Sequence, residues 1–259
     1  MGDQEWPIRL FNRSVLKQRK FREITDLLGE TRNLRCLDIG SDNGVISLLL
    51  RNRGGEWKSA DLDPETVESI RSLVKEDVYQ IDGKATPFKD GEFDRVVIVD
   101  FLEHIHPDLE FVEELFRIMK PGGKLIVNVP NIKNSMLRRF RLAIGQTDEK
   151  HGHVRPGYTP ESLSRLLNGR FSCEAYRTYS KFFSECLDTL MTWGMGLVKK
   201  GDAPSKKGVV VTGSDIDRNR KLFRLYSFVY PVVWIFAALD RILFWASGYM
   251  LIARAAVRK

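Results

Sequence analysis

Apolar residues recur along most of the chain with two alternating spacings. Runs in which nearly every residue is apolar indicate strands covered on both faces, and apolar residues three or four apart indicate amphipathic helices. The predicted strands are 34–39, 57–61, 78–81, 93–100, 124–130, 171–179 and one within 248–257. The predicted helices are 13–28, 44–51, 64–74, 107–120, 160–168 and 183–198. We expect the basic residues of the first helix to form a solvated face.

This alternation predicts an α/β fold, a Rossmann-like doubly wound and mostly parallel seven-stranded sheet with helices on both faces. A hydrophobic helical appendage is expected near the C-terminus. We divide the chain into an N-terminal helical segment (1–33), a core (34–180), a helical, basic and hydrophobic appendage (181–247) and a final strand that returns to the core sheet (248–259). The basic stretch 132–145 and the polar loop that follows it are expected to cover the carboxyl edge of the sheet.

Composition and charge narrow the classes of protein. Three scattered cysteines without a CxxC pair fit a reducing compartment, and the start has no apolar run behind basic residues, so we predict a cytoplasmic protein. The net charge of +7 arises in residues 199–259, which carry 12 Lys and Arg against 4 Asp and Glu. Because the remainder is close to neutral, we expect no nucleic-acid partner, and nothing in the pattern indicates an oligomeric state.

The basic C-terminal part also holds the most apolar stretch of the chain. Its uninterrupted apolar run, 228–239, contains Pro231 and is shorter than the roughly 20 residues that a membrane-spanning helix needs. Two interpretations remain open for residues 222–245: a helical hairpin in the core, or an anchor that lies in the interface of an anionic membrane surface. The second would place the protein peripherally on the cytoplasmic face of a membrane.

Acidic residues follow the first three predicted strands. The segment LDIGSDNG (37–44) links a strand to a helix, and Gly40 allows a sharp turn there. Asp61 ends the second strand, where a carboxylate can accept both hydroxyls of a ribose, and Asp82 follows the third. Asp63 fits the N-cap of the next helix better than Asp61 does. Because parallel strands end at the same edge, we expect Asp38, Asp61 and Asp82 to surround one ligand.

These segments, together with PF (87–88), the FD-x-V strand at 93 and PGG (121–123), resemble the class I S-adenosylmethionine-dependent methyltransferases, in particular the methyltransferase type 11 group and its quinone-biosynthesis members. The resemblance covers about 34–130 and implies S-adenosylmethionine as cofactor. It places Asp38 at the methionine part, Asp61 at the ribose and Asp82 at the adenine. The cofactor-binding residues implied are Asp38, Gly40, Ser41, Gly44, Asp61, Leu62, Asp82, Gly83 and Asp100. Asp42 departs from the glycine usual in that family.

The segment DFLEHIHP (100–107) again follows a strand and supplies Glu103 and His104 as candidate catalytic bases. Asp100, Glu103 and His104 resemble a pattern that holds a divalent metal in some quinone-biosynthesis O-methyltransferases, yet we expect no metal. The histidines form two His-x-His pairs, at 104 and 106 and at 151 and 153, which we interpret as hydrogen-bonded loop residues rather than metal ligands.

The segment HVRPGYT (153–159) resembles the family's region that approaches substrate, so His153, Arg155 and Tyr158 are candidate substrate contacts. We therefore expect an enzyme that methylates a small-molecule or lipid-linked acceptor near a membrane surface. Two alternatives remain: a methyltransferase that acts on protein or nucleic acid, and a non-catalytic module with a methyltransferase-like fold.

Overall fold

A computed structural model describes residues 5–133, 135–143, 152–198 and 220–259. Seven strands form one sheet: β1 (Arg35–Ile39), β2 (Glu56–Asp61), β3 (Val78–Gln80), β4 (Phe93–Val99), β5 (Met119–Pro130), β6 (Phe171–Tyr179) and β7 (Met250–Val257). Their order is β3-β2-β1-β4-β5-β7-β6. The first five strands pair in parallel, and β7 runs antiparallel to β5 and β6, between which it lies. The predicted fold class is confirmed.

The described helices are α1 (Glu5–Phe11), α2 (Val15–Leu28), α3 (Val45–Arg51), α4 (Pro64–Val74), α5 (Asp108–Ile118), α6 (Met136–Ala143), α7 (Pro160–Leu167), α8 (Phe182–Val198) and α9 (Arg220–Ala238). The side chain of Ser14 caps α2, so the chain breaks there and α1 precedes it as a separate helix that the sequence did not reveal. Asp63 caps α4 as predicted, and Thr159 caps α7.

The core has two layers, one on each side of the sheet. β4 shows why: Val96 and Ile98 pack in the layer that contains α5 and α7, whereas Val97 and Val99 pack with α2 and α3. All four side chains are essentially inaccessible to solvent, which matches a central strand covered on both faces.

One boundary differs from the sequence prediction. The predicted helix 107–120 ends at Ile118, and Met119 already pairs with Phe93, so β5 begins before the PGG turn rather than after it. Gly122 adopts a φ of +69° and a register shift between β4 and β5 falls here. The glycines therefore bend a continuous strand instead of connecting a helix to a new one.

The C-terminal appendage lies on the surface of the core. α9 packs against α2 and α8, and α8 packs against α6. Within 227–245, where side chains are described, only Ala237 is buried, and Phe228 and Phe244 are more than four-fifths exposed. The surface position disagrees with a hairpin inserted in the core. Among the described residues, no helix combines the length and apolar character needed to cross a bilayer.

Candidate functional site

The carboxyl ends of β1, β2, β3 and β4 form one edge of the sheet, here called the rim. Backbone hydrogen bonds extend the ladder past the strand ends: the Gly40 amide donates to Ala60 (3.1 Å), and the Ile81 amide donates to Asp61 (3.0 Å). The Asp100 amide likewise donates to Asn128 on β5 (2.9 Å). These bonds bring the segments after four different strands to the same level, which is where open α/β sheets bind ligands.

The loop between β1 and α3 approaches the rim closely. Gly40 has a φ of +81°, and a Cβ there would collide with the Val99 carbonyl oxygen. Gly44, with a φ of +80°, would place a Cβ 2.7 Å from the Cα of Ile70. Asp42 adopts a φ of +57°, so it takes the left-handed conformation that its side chain tolerates better than most. Only glycine fits at 40 and 44, because Val99 and Ile70 fill the positions that a Cβ would take.

Asp38 lies beneath this loop and does not face the rim. Its side chain has no exposure to solvent, and it accepts hydrogen bonds from Ser41, Ser47 (2.6 Å) and Ser59 (2.7 Å). Arg51 lies 3.5 Å away. The sequence interpretation gave Asp38 direct contact with a ligand, and this burial argues against it because the carboxylate is enclosed. It holds Ser41, which is itself buried, and so it shapes the loop instead.

Asp61 occupies the end of β2 with its carboxylate partly buried. Oδ1 accepts a hydrogen bond from the Asp63 amide (3.2 Å). Burial raises the pKa of the Asp61 carboxyl to about 6, and the backbone amides of Asp63 and Leu62 oppose that shift only in part. A desolvated carboxylate at a strand end is a strong acceptor for hydroxyl groups, because a ligand that donates hydrogen bonds replaces the water it lost.

Asp82 stands at the outer end of the rim and is exposed. Its Oδ1 accepts from the amides of Lys84 (2.8 Å) and Ala85 (2.9 Å), and these bonds lower the pKa of the carboxyl. The neighbouring Gly83 is buried, and a Cβ there would lie 2.8 Å from Ile105 and 3.2 Å from Leu62. Asp82 therefore adjoins a small apolar surface, which suits one face and one edge of a flat heterocycle.

Asp100 joins the rim to α2. It adopts a φ of +47°, its Oδ1 accepts from the Asn128 side chain (2.8 Å), and its other oxygen pairs with the ammonium of Lys20. Burial opposes the charge on Lys20, but the Asp100 carboxylate outweighs that effect and the pKa of Lys20 is raised. Lys17 pairs with Asp42 at 3.1 Å. The expectation that the basic residues of α2 form a solvated face is wrong for Lys20, whereas Lys17 is exposed although it is paired.

The 3₁₀ turn Leu102–His104 carries the candidate bases. Glu103 is fully buried, and the His104 and His153 rings meet edge to face with centroids 4.8 Å apart. His104 Nδ1 lies 2.9 Å from the Gly152 carbonyl, which can only accept, so Nδ1 carries the proton and the neutral ring has its lone pair at Nε2. The fold thus pairs His104 with His153 rather than with His106; His151 lies outside the described residues.

Glu103, His104 and His153 have the side-chain types that bind metal ions. One ligand atom each from Glu103, His104 and His153 lies within 4.8 Å of the others. Opposite ligands of one ion at about 2.1 Å each are separated by roughly 4.2 Å. The cluster has donor atoms of suitable type close together, the expected absence of a metal stays a prediction, and we derive no chemical step from one.

Arg155 and Tyr158 hold the turn in place. The Arg155 guanidinium pairs with Asp108 and donates to the carbonyls of Ile105 and His106 (both 2.9 Å). The buried Tyr158 hydroxyl lies 3.0 Å from the same Asp108 carboxylate, and burial raises the pKa of this tyrosine. These bonds engage the terminal guanidinium nitrogens of Arg155 and the Tyr158 hydroxyl with the 102–108 loop, and the contact of both residues with substrate stays a prediction. They form with Asp108 what we call the loop clamp.

Comparison with known proteins agrees with this geometry. Residues 37–127 match the model of the family described as a methyltransferase domain. A ubiquinone biosynthesis O-methyltransferase of Xanthomonas oryzae pv. oryzae is 31% identical over 103 residues, 38% of this chain and 43% of that protein. A chloroplastic tocopherol O-methyltransferase of Arabidopsis thaliana is 30% identical over 134 residues, 49% of this chain and 37% of that protein. The chain thus spans about two-fifths of the length of these curated relatives.

A solved structure extends the similarity beyond the matched domain. N-methyltransferase NodS of Bradyrhizobium japonicum WM9, solved with S-adenosyl-L-homocysteine, superposes with a TM-score of 0.53 at 12% identity, covering 100% of this chain and 94% of that one. At that identity the superposition shows the fold alone. The fold is similar to that of a solved methyltransferase and residues 37–127 match the methyltransferase-domain family, so the resemblance to class I methyltransferases inferred from the motifs is confirmed. Within that class, the curated relatives named above are O-methyltransferases of quinone and tocopherol type.

Proposed function

We propose that the protein is an enzyme that binds S-adenosylmethionine at the rim and transfers its methyl group to a small or lipid-linked acceptor at a membrane surface. One observation carries the cofactor assignment: the ends of four strands present a close-approach glycine loop, a desolvated carboxylate and an apolar surface along a single edge. Gly40, Ser41 and Gly44 would lie at the methionine part through their backbone. Asp61 would accept the ribose hydroxyls, with Leu62, Asp82 and Gly83 at the adenine.

The charge of the rim supports this assignment. Asp42 and Asp100 pair with Lys17 and Lys20, whereas Asp61 has no lysine partner among the described residues, and a sulfonium cofactor is cationic. When bound, the cofactor supplies an electrophilic methyl group; the chain supplies orientation and a shielded surrounding for in-line displacement. Lys20 already pairs with Asp100, so the rim holds a cation against these carboxylates before any ligand arrives.

His104 is our candidate general base. Its Nδ1 lies against the Gly152 carbonyl, which orients the ring, and we assign the removal of a proton from an acceptor hydroxyl to this imidazole. The buried Glu103 and the ring of His153 lie beside it and favour the imidazolium that forms. The loop clamp keeps this turn at the end of β4, so Arg155 and Tyr158 act as positioning residues.

Attachment to a membrane surface is supported by the appendage. α6, α8, α9 and the segment after α9 pack in sequence and expose large apolar side chains, among them Met136, Phe140, Leu190, Phe228, Val232, Ile235, Phe244 and Trp245. α6 follows β5, whose end lies at the rim edge, and Arg141 joins it to Asp188 of α8 (3.2 Å). An apolar acceptor dissolved in a bilayer would thus lie near the rim.

Cofactor binding is the first test. Calorimetry with S-adenosylmethionine should show binding that Asp61→Ala weakens at least about tenfold, since a hydrogen-bonded carboxylate contributes about 1.5–3 kcal/mol. Glu68→Ala removes an exposed carboxylate of α4 and serves as the matched control. If the unmodified protein does not bind the cofactor, the proposal fails.

Methyl transfer is the second test. Protein with labelled cofactor and a fractionated lipid extract should yield a labelled lipid-soluble product, and His104→Gln should lower the rate by about 10²-fold or more while cofactor affinity stays unchanged. Label that never leaves the cofactor would overturn the catalytic assignment. Flotation with vesicles tests the membrane assignment: Phe228→Ser with Phe244→Ser should reduce it, and a protein that never floats would refute it.

A further inference from the structure

A cavity of about 150 Å³ lies between α2, the start of α8 and the end of α9, outside the rim. Its walls include Arg19, Arg22, Lys181, Trp234 and Arg241. One water molecule needs about 10–15 Å³ by the same measure, so the space admits a group much larger than water. Nothing in the proposed methyl transfer uses these residues.

The cavity is strongly basic. Of its four cationic side chains, Arg19 is neutralised by Glu23 at 2.6 Å, whereas no carboxylate of the described residues pairs with the side chain of Arg22, Lys181 or Arg241. The Lys181 ammonium donates only to the Leu243 carbonyl (2.6 Å). Three cationic groups that line one partly open cavity repel each other unless an anion lies between them.

The acidic residue among the described wall residues offsets only part of this charge. Asp240 accepts hydrogen bonds from the backbone amides of Lys181 (2.7 Å), Phe183 (2.9 Å) and Ser184 (3.4 Å), and so it caps the start of α8. Its carboxylate is therefore committed to the helix, and the side chains of the basic residues stay available to a ligand.

The neighbourhood of the cavity indicates what kind of anion it would take. Trp234 lines it and is 48% exposed, and Ile235, next in α9, is 59% exposed. Tryptophan favours the headgroup level of a bilayer, and apolar side chains beside it favour the acyl chains. The structure places an anion-binding cavity and an acyl-binding surface side by side.

We propose that this basic cavity binds the phosphate of an anionic phospholipid headgroup, with Arg22, Lys181 and Arg241 donating to the phosphate oxygens. The proposal rests on the attachment to a membrane surface proposed above and assigns it a specific lipid contact. A bound headgroup would also join α2 to α9, which already meet through the Gln18 side chain and the Tyr230 hydroxyl (3.1 Å). Because Lys20 of α2 reaches Asp100, headgroup binding would steady the helix that covers the rim.

The test uses lipids that do not form membranes. Calorimetry would compare dihexanoylphosphatidylglycerol, dihexanoylphosphatidylcholine (both below their micellar concentrations) and inorganic phosphate. We expect the glycerol lipid to bind most tightly and the double variant Arg22→Gln with Arg241→Gln to weaken it about 25-fold, at about fivefold for each basic group. Both residues are exposed, so the variant should fold. The matched control, Arg32→Gln with Arg53→Gln, removes the same charge at the opposite edge of the sheet and should change affinity less than twofold.

Three results would overturn the headgroup assignment: equal binding of the two lipids, equal loss in the two double variants, or phosphate binding as tightly as the glycerol lipid, which would indicate a site for a soluble anion. Vesicle flotation separates these failures from those of the proposed function. Protein that floats equally well with and without the Arg22 and Arg241 substitutions keeps its membrane attachment but not this site. Protein that never floats loses the membrane proposal, while cofactor binding and methyl transfer are measured independently.

Discussion

The buried Asp61 carboxylate should lower the stability of the folded protein and strengthen ligand binding. Its carboxyl has a pKa of about 6 in the folded chain against an ordinary value of 3.8, because burial disfavours the ionised form. The difference corresponds to about 3 kcal/mol at neutral pH, since each pKa unit is worth 1.36 kcal/mol. Asp61→Asn keeps an oxygen for the Asp63 amide and removes the buried charge. We expect it to raise the free energy of unfolding by about 1–3 kcal/mol at pH 7.5.

The pH dependence gives the reasoning a second, independent check. A carboxyl whose pKa is raised on folding destabilises the protein fully above the folded pKa of about 6, and the penalty disappears as pH falls toward 3.8. The stability advantage of Asp61→Asn should therefore be largest at pH 7.5, about half as large near pH 5 and about a fifth as large near pH 4. Urea denaturation of both proteins across this range measures it.

Calorimetry completes the test, because the same substitution should weaken cofactor binding at pH 7.5 by at least about tenfold. Affinity of the unmodified protein should also fall by about one decade per pH unit below pH 6, as Asp61 becomes protonated. A variant that is less stable than the unmodified protein at pH 7.5, or an advantage that does not shrink toward pH 4, would refute the account of a desolvated carboxylate at the rim.

Three further substitutions test the geometry. Gly40→Ala forces a Cβ against the Val99 carbonyl at a positive φ and should lower the free energy of unfolding by about 3 kcal/mol or more; a melting temperature within 2 °C of the unmodified protein would contradict this. Asp108→Asn leaves Arg155 with carbonyl partners only, so we expect about 2 kcal/mol of destabilisation. The methyl-transfer rate should fall while cofactor affinity stays unchanged. An unchanged rate would disprove the positioning role of the loop clamp. Tyr179→Phe removes the donor to the buried Asn128 oxygen and should cost about 1–2 kcal/mol by urea denaturation, without altering cofactor affinity.

The strands were predictable because their local pattern is unambiguous. β4 is an unbroken apolar run buried on both faces, and its predicted bounds differ from the observed ones by a single residue. Asp61 followed from the same pattern, since the end of a parallel strand fixes where the next side chain lies. The break at Ser14 and the early start of β5 were missed because both depend on a cap or a pairing that apolar periodicity does not record.

The pairings at the site that the sequence did not reveal share a different cause. Arg155 has its carboxylate partner 47 residues away in the sequence, and Lys20 has its partner 80 residues away. A guanidinium or an ammonium has the same local signature whether it contacts solvent, substrate or a distant carboxylate. Asp38 was assigned to the ligand because it lies near the end of a strand. In the structure it accepts hydrogen bonds from three serines, two of which lie on α3 and β2. Such pairings become visible only when the fold brings the elements together.

The insertion of β7 between β5 and β6 constrains the order in which the chain can assemble. β6 pairs only with β7 among the described strands, so residues 171–179 have no neighbour in the sheet until residues 250–257 have been synthesised. During translation the apolar edge of β5 would remain uncovered for more than a hundred residues, a condition that favours association with chaperones or misassembly. Closure of this edge is a late, long-range step, and folding speed should depend on it more than on the parallel half of the sheet.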